Sequence, residues 1–278
     1  MPSIIQILAT AALASLASAS PCKPVQYTLP STGNGKHTPS VAGTRPFPVL
    51  TQNSLVTTDL PAPPPSLALK KIAVGHGIQN YTCASTSTAS ASSIGALAVL
   101  YDVTALYPTT PRTGLDQNAW NSLAVTVLYS QQIPLNMASA DGAPTNSLAA
   151  GTLAYNADPS NPFPAPADLT LGSMPAIKFL GHHYFDATGT PTFDLSAAGL
   201  FGSMAKTGST GAPSGSDKGI LGTGAVAWLQ LTDTGKGVSK GIEMVYRVIT
   251  EGGNADPCSV AGAGVQSVPY TAQYWFFG

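Results

Sequence analysis

The sequence predicts an all-β fold, either a sandwich or a barrel, with one helical insertion and an extended Pro-rich N-terminal arm. Short apolar runs of strand length alternate with turn signals through the second half of the chain, a pattern typical of antiparallel sheets. No period of 20–50 residues repeats, which argues against a solenoid or a propeller. We divide the 278 residues into a signal peptide (1–19), an arm (20–66) and a single β-rich domain (67–278).

The first 19 residues have the pattern of a secretory signal peptide. An apolar run at 4–16 precedes the small residues Ala-Ser-Ala at 17–19, and this run is too short to span a bilayer. The arm that follows contains proline clusters at 46–48 and 61–65, which favour polyproline II. We therefore expect a secreted, extracellular protein with no membrane span.

The elements of the domain are predicted from periodicity. Alternation and apolar runs predict strands over 67–74, 77–83, 94–101, 177–185, 192–195, 226–232, 241–250 and 272–277. The stretch 115–130 predicts the helix, because Asp116 lies early in it, it has no Gly or Pro, and its apolar residues follow helical spacing. The Gly- and Ser-rich stretch 202–219 predicts a loop.

Charged residues are scarce in this chain. It has 12 Lys and Arg, 13 Asp and Glu, and a net charge of −1, so charged residues are 9% of it against about 25% in ordinary domains. This balance excludes the basic footprint that nucleic-acid binding requires. Few ionisable groups remain from which to build an active site, and this favours a non-enzymatic role.

Three cysteines follow the predicted cleavage site. Cys83 and Cys258 lie at strand ends, whereas Cys22 lies in the extended arm, so in an oxidising compartment we favour the pair Cys83–Cys258. The alternative is that Cys22 takes one of these partners. The sequon at Asn80 predicts a glycan, because strand alternation directs Asn80 outward while Cys83 points inward.

Several motifs, taken in their chain order, resemble one family. They are Gly75-His-Gly-Ile-Gln-Asn-Tyr-Thr-Cys83, Lys178-Phe-Leu-Gly-His-His-Tyr-Phe185 with Pro191-Thr-Phe193, Val226-Ala-Trp-Leu229, and Tyr246-Arg-Val-Ile-Thr-Glu-Gly-Gly253 followed by Cys258. Over 67–277 the chain resembles the DUF3455 family of secreted, mainly fungal proteins. The resemblance implies one β-rich domain, supports the Cys83–Cys258 pair and carries no established activity. Members often bear the name malate dehydrogenase.

The residues do not support a dehydrogenase. Gly222, Gly224 and Ala227 match the spacing of a dinucleotide-binding turn, but that turn must open a helix, and a strand is predicted here. The same objection applies to the G-x-S-x-G pattern at 237–241, which works only on a strand–turn–helix elbow. We therefore predict no nucleotide and no other cofactor.

The histidines are the remaining candidates for a catalytic site. His182 and Asp186 share a face of the strand 177–185, and His76 lies in a Gly-flanked segment, so the three could form an acid–base or metal site if the fold brings them together. A structural role is the more common one for such residues, and no metal-ligand spacing is present. His183 falls on the apolar face and is expected to be a hydrogen-bonded core residue.

Arg247 is a charged residue in the middle of a predicted strand. It shares a face of the strand 241–250 with Glu243, which favours a surface ion pair between the two.

The expected function is that of a non-enzymatic extracellular or cell-wall-associated protein that binds carbohydrate. The candidates for stacking on sugar rings are the C-terminal aromatic residues Tyr270, Tyr274, Trp275, Phe276 and Phe277. The alternatives are a secreted hydrolase or metal-dependent enzyme that uses His76, His182 and Asp186, and a host-facing effector that binds a protein partner.

Overall fold

A computed structural model of the chain describes residues 60–85, 90–137 and 155–278, and within them eight antiparallel strands close into one barrel. The strands are β1 (Leu69–Cys83), β2 (Ser92–Asp102), β3 (Phe179–Phe185), β4 (Pro191–Leu195), β5 (Leu200–Thr210), β6 (Trp228–Asp233), β7 (Met244–Gly252) and β8 (Gly264–Phe277). Each strand pairs with its neighbour in sequence, and β8 pairs with β1. The prediction of an all-β fold is confirmed, in its barrel form. The signal peptide, Cys22 and most of the Pro-rich arm lie outside the described residues.

β1 is one strand of 15 residues, although the sequence predicts two. Its glycines mark close backbone and side-chain approaches rather than a break. A Cβ added at Gly77 would overlap the Leu97 carbonyl of β2, and one added at Gly75 would lie 2.6 Å from the Tyr274 ring of β8. Glycine therefore lets two neighbouring strands pack tightly against β1.

β5 occupies the first half of the stretch 202–219, for which the sequence predicts a loop. That prediction is wrong for 202–210, whereas 211–219 contains no strand. Apart from one Met, residues 202–210 are Gly, Ser, Thr, Lys and Ala, which carry a weak strand signal. β5 is nevertheless paired with β4 on one side and β6 on the other. The barrel supplies the pairing partners that this stretch needs, because strand formation depends more on tertiary context than on intrinsic preference.

The predicted helix forms as two short helices, α1 (Gln117–Asn121) and α2 (Leu123–Ser130), which meet at Ser122. Asp116 caps α1, since its side chain accepts a hydrogen bond of 2.9 Å from the Ala119 N–H. The α2 helix lies against the outside of the barrel, where the Thr271 hydroxyl donates to the Ala124 carbonyl at 2.8 Å. No helix among the described residues is long and apolar enough to cross a membrane.

The strands separate two hydrophobic clusters. The outer cluster lies between the barrel and the covering segment of α1, α2 and their flanking loops, and it is centred on Tyr107, Trp120 and Trp275, whose rings meet edge to face. It also buries Ile78 completely, so the outward face of β1 is not a solvent face. The inner cluster fills one end of the barrel, with Leu195, Met204, Ile242 and Phe276 among its members.

A third helix, α3 (Cys258–Ala261), lies in the β7–β8 connection. The structure contains the Cys83–Cys258 disulfide, with the two Cα atoms 5.5 Å apart. It joins the end of β1 to this connection. We call this end of the barrel, where β1, β3, β5 and β7 terminate, the mouth.

Candidate functional site

The inner faces of the strands leave a cavity of about 490 Å³ toward the mouth. Its polar lining residues include Gln79, Tyr81, His183, Lys206, Arg247 and Tyr274. Its apolar lining includes Phe185, Phe193, Val226, Leu229 and Leu231. An eight-stranded barrel is just wide enough either to be filled with side chains or to hold one small ligand, and this barrel is filled at one end and open at the other.

Arg247 points into the cavity from β7. Its side chain is 9% exposed, and its Nε and Nη2 atoms both donate to the Ala227 carbonyl, at 3.2 and 2.9 Å. Among the described residues that line the cavity there is no aspartate or glutamate, and the ion pairs found in the described ranges do not include Arg247. The surface ion pair with Glu243 is therefore wrong. Arg247 lies on the inner face with Val245, which belongs to the inner cluster.

Arg247 is surrounded by neutral polar groups whose ionisation it influences. Burial raises the pKa of Tyr274 and of Tyr81, and the positive charge of Arg247 opposes both rises. Burial lowers the pKa of His183 to about 4, and Arg247 acts in the same direction. The deep part of the cavity thus has a positive charge next to a neutral histidine and un-ionised tyrosines.

His183 is held rigidly in the wall of the cavity. Its Nδ1 is 2.9 Å from the Thr192 carbonyl, and its ring stacks on Phe193 with centroids 4.3 Å apart. It is 4% exposed, which agrees with its expected role as a hydrogen-bonded residue of the apolar face. Strict strand alternation would place Phe179 on the same face as His183, but the register shifts between Leu100 and Tyr101. Phe179 consequently belongs to the outer cluster.

Gln79 contributes an unsatisfied donor to the cavity. Its side chain is 5% exposed, and its Nε2 makes no hydrogen bond of normal geometry within the described ranges, although it lies close enough to the Tyr270 hydroxyl to oppose the rise in the pKa of that tyrosine. Leaving a buried amide unpaired costs about 1–3 kcal/mol. A ligand that offers an acceptor here would recover that cost.

The wall of the barrel is incomplete near Lys206. The β4–β5 pairing extends only as far as Ser203, whereas β6 pairs with β5 as far as Thr210. The last part of β5 therefore has a strand neighbour on one side only in the part of the chain that the structure describes. Lys206 lies in this part, exposed, and also lines the cavity, so the gap between β5 and the β3–β4 turn gives access from solvent.

The structure does not unite His76, His182 and Asp186. His76 and His182 both face the outer side of the barrel, but Val99 of β2 pairs with each of them and separates them, which places their backbones about 9–10 Å apart. Asp186 lies in the β3–β4 turn, where its Oδ1 accepts hydrogen bonds from Thr188 and Thr190. The described residues include no group of three or more His, Cys, Asp or Glu that could hold a metal ion.

The two outward histidines are held by packing. His76 is 1% exposed, its Nε2 has no hydrogen-bond partner within the described ranges, and burial lowers its pKa to about 3. His182 stacks on Phe163 with ring centroids 4.0 Å apart, and burial lowers its pKa as well. Both therefore stay neutral at pH 7 and act as parts of the outer cluster.

The C-terminal aromatics do not form an exposed row. Tyr270, Tyr274, Trp275, Phe276 and Phe277 are each at most 3% exposed. Three of them belong to the inner cluster and two to the outer cluster, because β8 is covered on both faces. The sequence pattern does not distinguish an aromatic strand with one solvent-exposed face from a strand that is buried on both faces. Of the five, Tyr274 reaches the cavity.

The two glycine motifs also lie in turns. The segment 222–227 leads into β6 and the segment 237–241 precedes β7, so neither opens a helix. The sequon residue Asn80 is half-buried on the outer face of β1, where its Oδ1 accepts a hydrogen bond of 2.8 Å from the Ser267 hydroxyl. Glycosylation of Asn80 remains a prediction.

The comparisons with known proteins give a family and no function. The family model described as "Protein of unknown function (DUF3455)" matches residues 63–278, which include every strand of the barrel. No curated protein and no solved structure matches the chain.

Proposed function

The chain belongs to the DUF3455 family of proteins of unknown function, and from its own residues we propose that it is a secreted protein that binds one small, largely apolar molecule in the barrel cavity. The observation that carries this proposal is the cavity itself. It has about 490 Å³ of space, within the range of about 300–1,000 Å³ that is usual for small-molecule sites.

The lining has the composition that ligand pockets share. Apolar side chains such as Phe185 and Leu231 form most of the wall, and a few polar groups, Gln79, His183 and Arg247, converge on it. Such sites bind through apolar burial and fix the orientation of the ligand through a small number of polar contacts. At the packing density of protein interiors the space fits a ligand of roughly 15–20 non-hydrogen atoms.

The direct test is binding of a neutral fluorescent probe, N-phenyl-1-naphthylamine, to the purified protein. We expect saturable binding of one probe per chain with a blue shift of its emission. Leu229→Trp should abolish binding because the indole fills the cavity. Val238→Trp is the matched control, since Val238 is 54% exposed in the β6–β7 turn. Probe binding that persists in Leu229→Trp, or fails in the wild type, would contradict the proposal.

Secretion is the second part of the proposal. It is supported by the signal-peptide pattern at 1–19 and by the Cys83–Cys258 disulfide, since disulfides persist in oxidising compartments. The full chain should be exported from a eukaryotic host with Ser20 at its N-terminus. Mass spectrometry of the medium and of the cells checks this, and an intact Met1 on a protein retained inside the cell would refute it.

A further inference from the structure

We propose that the ligand of the barrel cavity is an amphipathic monocarboxylate, with its carboxylate at Arg247 and Gln79 and its apolar body against Phe185, Phe193 and Leu229. This inference rests on the proposed function, because it identifies the chemical class of the molecule that the cavity holds.

The positive charge of Arg247 is balanced by no acidic side chain of the described lining. A guanidinium carries five N–H donors, and here two of its nitrogens share one acceptor, the Ala227 carbonyl. The Tyr274 hydroxyl is a further partner of the guanidinium, but both partners are neutral, and a buried cation that has lost its hydration is left without an anion. Since the described lining contains no acidic side chain, we assign the compensating anion to a ligand.

Gln79 offers the cavity a second hydrogen-bond donor, its side-chain amide. Its buried Nε2 makes no hydrogen bond of normal geometry within the described ranges and has only a weak interaction with the Tyr270 hydroxyl. Gln79 and Arg247 both line the cavity, from β1 and β7. Both groups are donors, and both require acceptor oxygens on the ligand. A carboxylate has two oxygens that accept bidentate contacts from a guanidinium, so it can also reach a neighbouring amide.

Arg247 is the only side chain of the described deep lining that carries a positive charge at pH 7, so the matching ligand carries one negative charge. His183 is neutral at pH 7, because burial lowers its pKa to about 4, so it adds no second cation to the deep part of the cavity. Lys206 is exposed at the gap beside β5, where a charge attracts an incoming anion but is largely screened by solvent. The deep site therefore matches a monoanion better than a dianion.

The remaining lining of the cavity is apolar. Val226, Leu229, Leu231, Phe185 and Phe193 all line the cavity, and these side chains offer no hydrogen bond. Apolar contact is the interaction they can make. A saturated or aromatic body of moderate length, such as that of dodecanoic acid, fits this lining and the available volume.

The test compares dodecanoic acid with 1-dodecanol in displacing N-phenyl-1-naphthylamine from the full chain. The two ligands have the same chain and differ in the carboxylate. We expect the acid to bind at least tenfold more tightly than the alcohol at pH 7.5. Arg247→Met should remove that preference while leaving the affinity for the alcohol and for the probe within twofold, since Met keeps an unbranched apolar stem.

Two further variants keep the result interpretable. Lys206→Met, the matched rim variant, should change the equilibrium affinity for the acid by less than threefold. Gln79→Met should weaken binding of the acid and spare the alcohol. If Arg247→Met does not fold, as judged by the absence of a cooperative unfolding transition in urea, Arg247→Lys replaces it and should retain a reduced preference for the acid. Loss of probe binding by a folded Arg247→Met would contradict the assignment.

The outcomes separate this inference from the function on which it rests. Failure of the wild-type chain to bind the neutral probe overturns the proposed function. Probe binding with equal affinity for acid and alcohol overturns the carboxylate assignment alone. A preference for the acid that survives Arg247→Met also overturns it. Tighter binding of dodecyl phosphate than of dodecanoic acid would show that the site takes a dianion.

Discussion

The two sides of the barrel wall differ in what they bury. The outer side packs Tyr107, Trp120 and Trp275 into one aromatic cluster under the two helices. The inner side is filled at one end, but toward the mouth it holds a cavity with Arg247 and His183 in its wall. The comparison teaches that in this small barrel the outer layer supplies much of the apolar burial, and this leaves the interior free for polar groups and empty space.

The largest effect is expected from Trp120, which is 1% exposed in the outer cluster. Trp120→Ala should lower the free energy of unfolding by about 3–5 kcal/mol, measured by urea denaturation. Leu229→Ala, on the inner side, should cost only about 1–2 kcal/mol, because Leu229 is half-buried and borders a cavity that already exists. Equal losses would mean that both sides contribute similarly to stability. Val260→Ala, at a 70% exposed side chain, is the neutral control.

The sequence was sufficient for the class of fold and insufficient for the site. Strand alternation and turns predict most of the strands, and the helical spacing of Trp120 and its neighbours predicts the helical segment, though not its place outside the barrel. The site was missed because apolar residues occupy both faces of β7: Tyr246 and Val248 on one face, Val245 and Ile249 on the other. Period-2 patterning then cannot say which face is inside, so Arg247 was assigned to the surface.

A signal for Arg247 was nevertheless present. In a chain with 9% charged residues, an arginine in the middle of a strand with apolar residues on both faces has no obvious route to solvent, and that combination points to an internal charge. The bulge that moves Phe179 outward and the pairing of β5 leave no comparable trace, because both arise from closure of the barrel.

The next effect concerns the mouth, where a disulfide joins the end of β1 to the β7–β8 connection. Replacing both Cys83 and Cys258 by Ser opens a loop with a sequence separation of 175 and should lower the free energy of unfolding by about 2–5 kcal/mol. The wild-type protein in reducing buffer should show the same loss. A reduced wild type as stable as the oxidised protein would mean that packing alone holds the mouth.

Acid provides a third test, since one buried histidine lies on each side of the wall. A free histidine has a pKa near 6.5, and burial lowers the pKa of His76 to about 3 and that of His183 to about 4. The folded state therefore binds fewer protons than the unfolded state, so the stabilisation present above pH 6.5 is lost as the pH falls. Each histidine should contribute a slope of about 1.4 kcal/mol per pH unit between pH 6 and pH 4.

Single replacements divide this slope between the two sides. His76→Leu and His183→Leu should each remove about half of it, measured by urea denaturation at a series of pH values. A change in the slope for His76→Leu alone would show that water in the cavity lets His183 take up a proton in the folded protein.

The smallest effect has the opposite sign and belongs to Glu251. This side chain is 7% exposed, and its Oε2 accepts a hydrogen bond from the Asp217 N–H. Burial raises its pKa to about 7. Its contribution to stability is complete below the ordinary pKa of a glutamate, near 4.5, and is lost as the pH rises through 7. Glu251→Gln should therefore be more stable than the wild type at pH 8, by on the order of 1–2 kcal/mol, and similar to it at pH 5.

Glu243→Gln is the matched control, because Glu243 is an exposed glutamate that directly precedes β7, and replacing an exposed side chain should change the free energy of unfolding by less than about 0.5 kcal/mol. A Glu251→Gln profile that runs parallel to the wild type would mean that Glu251 is ionised in the folded protein, with the Asp217 N–H compensating for burial. Water would then enter the cleft that Glu251 and Asp217 share with Asn118 and Asn121 at the edge of the outer layer. If the stabilities of the variant and the wild type instead converge at pH 5 and separate at pH 8, Glu251 is protonated at the lower pH and packs as a neutral side chain in the outer layer.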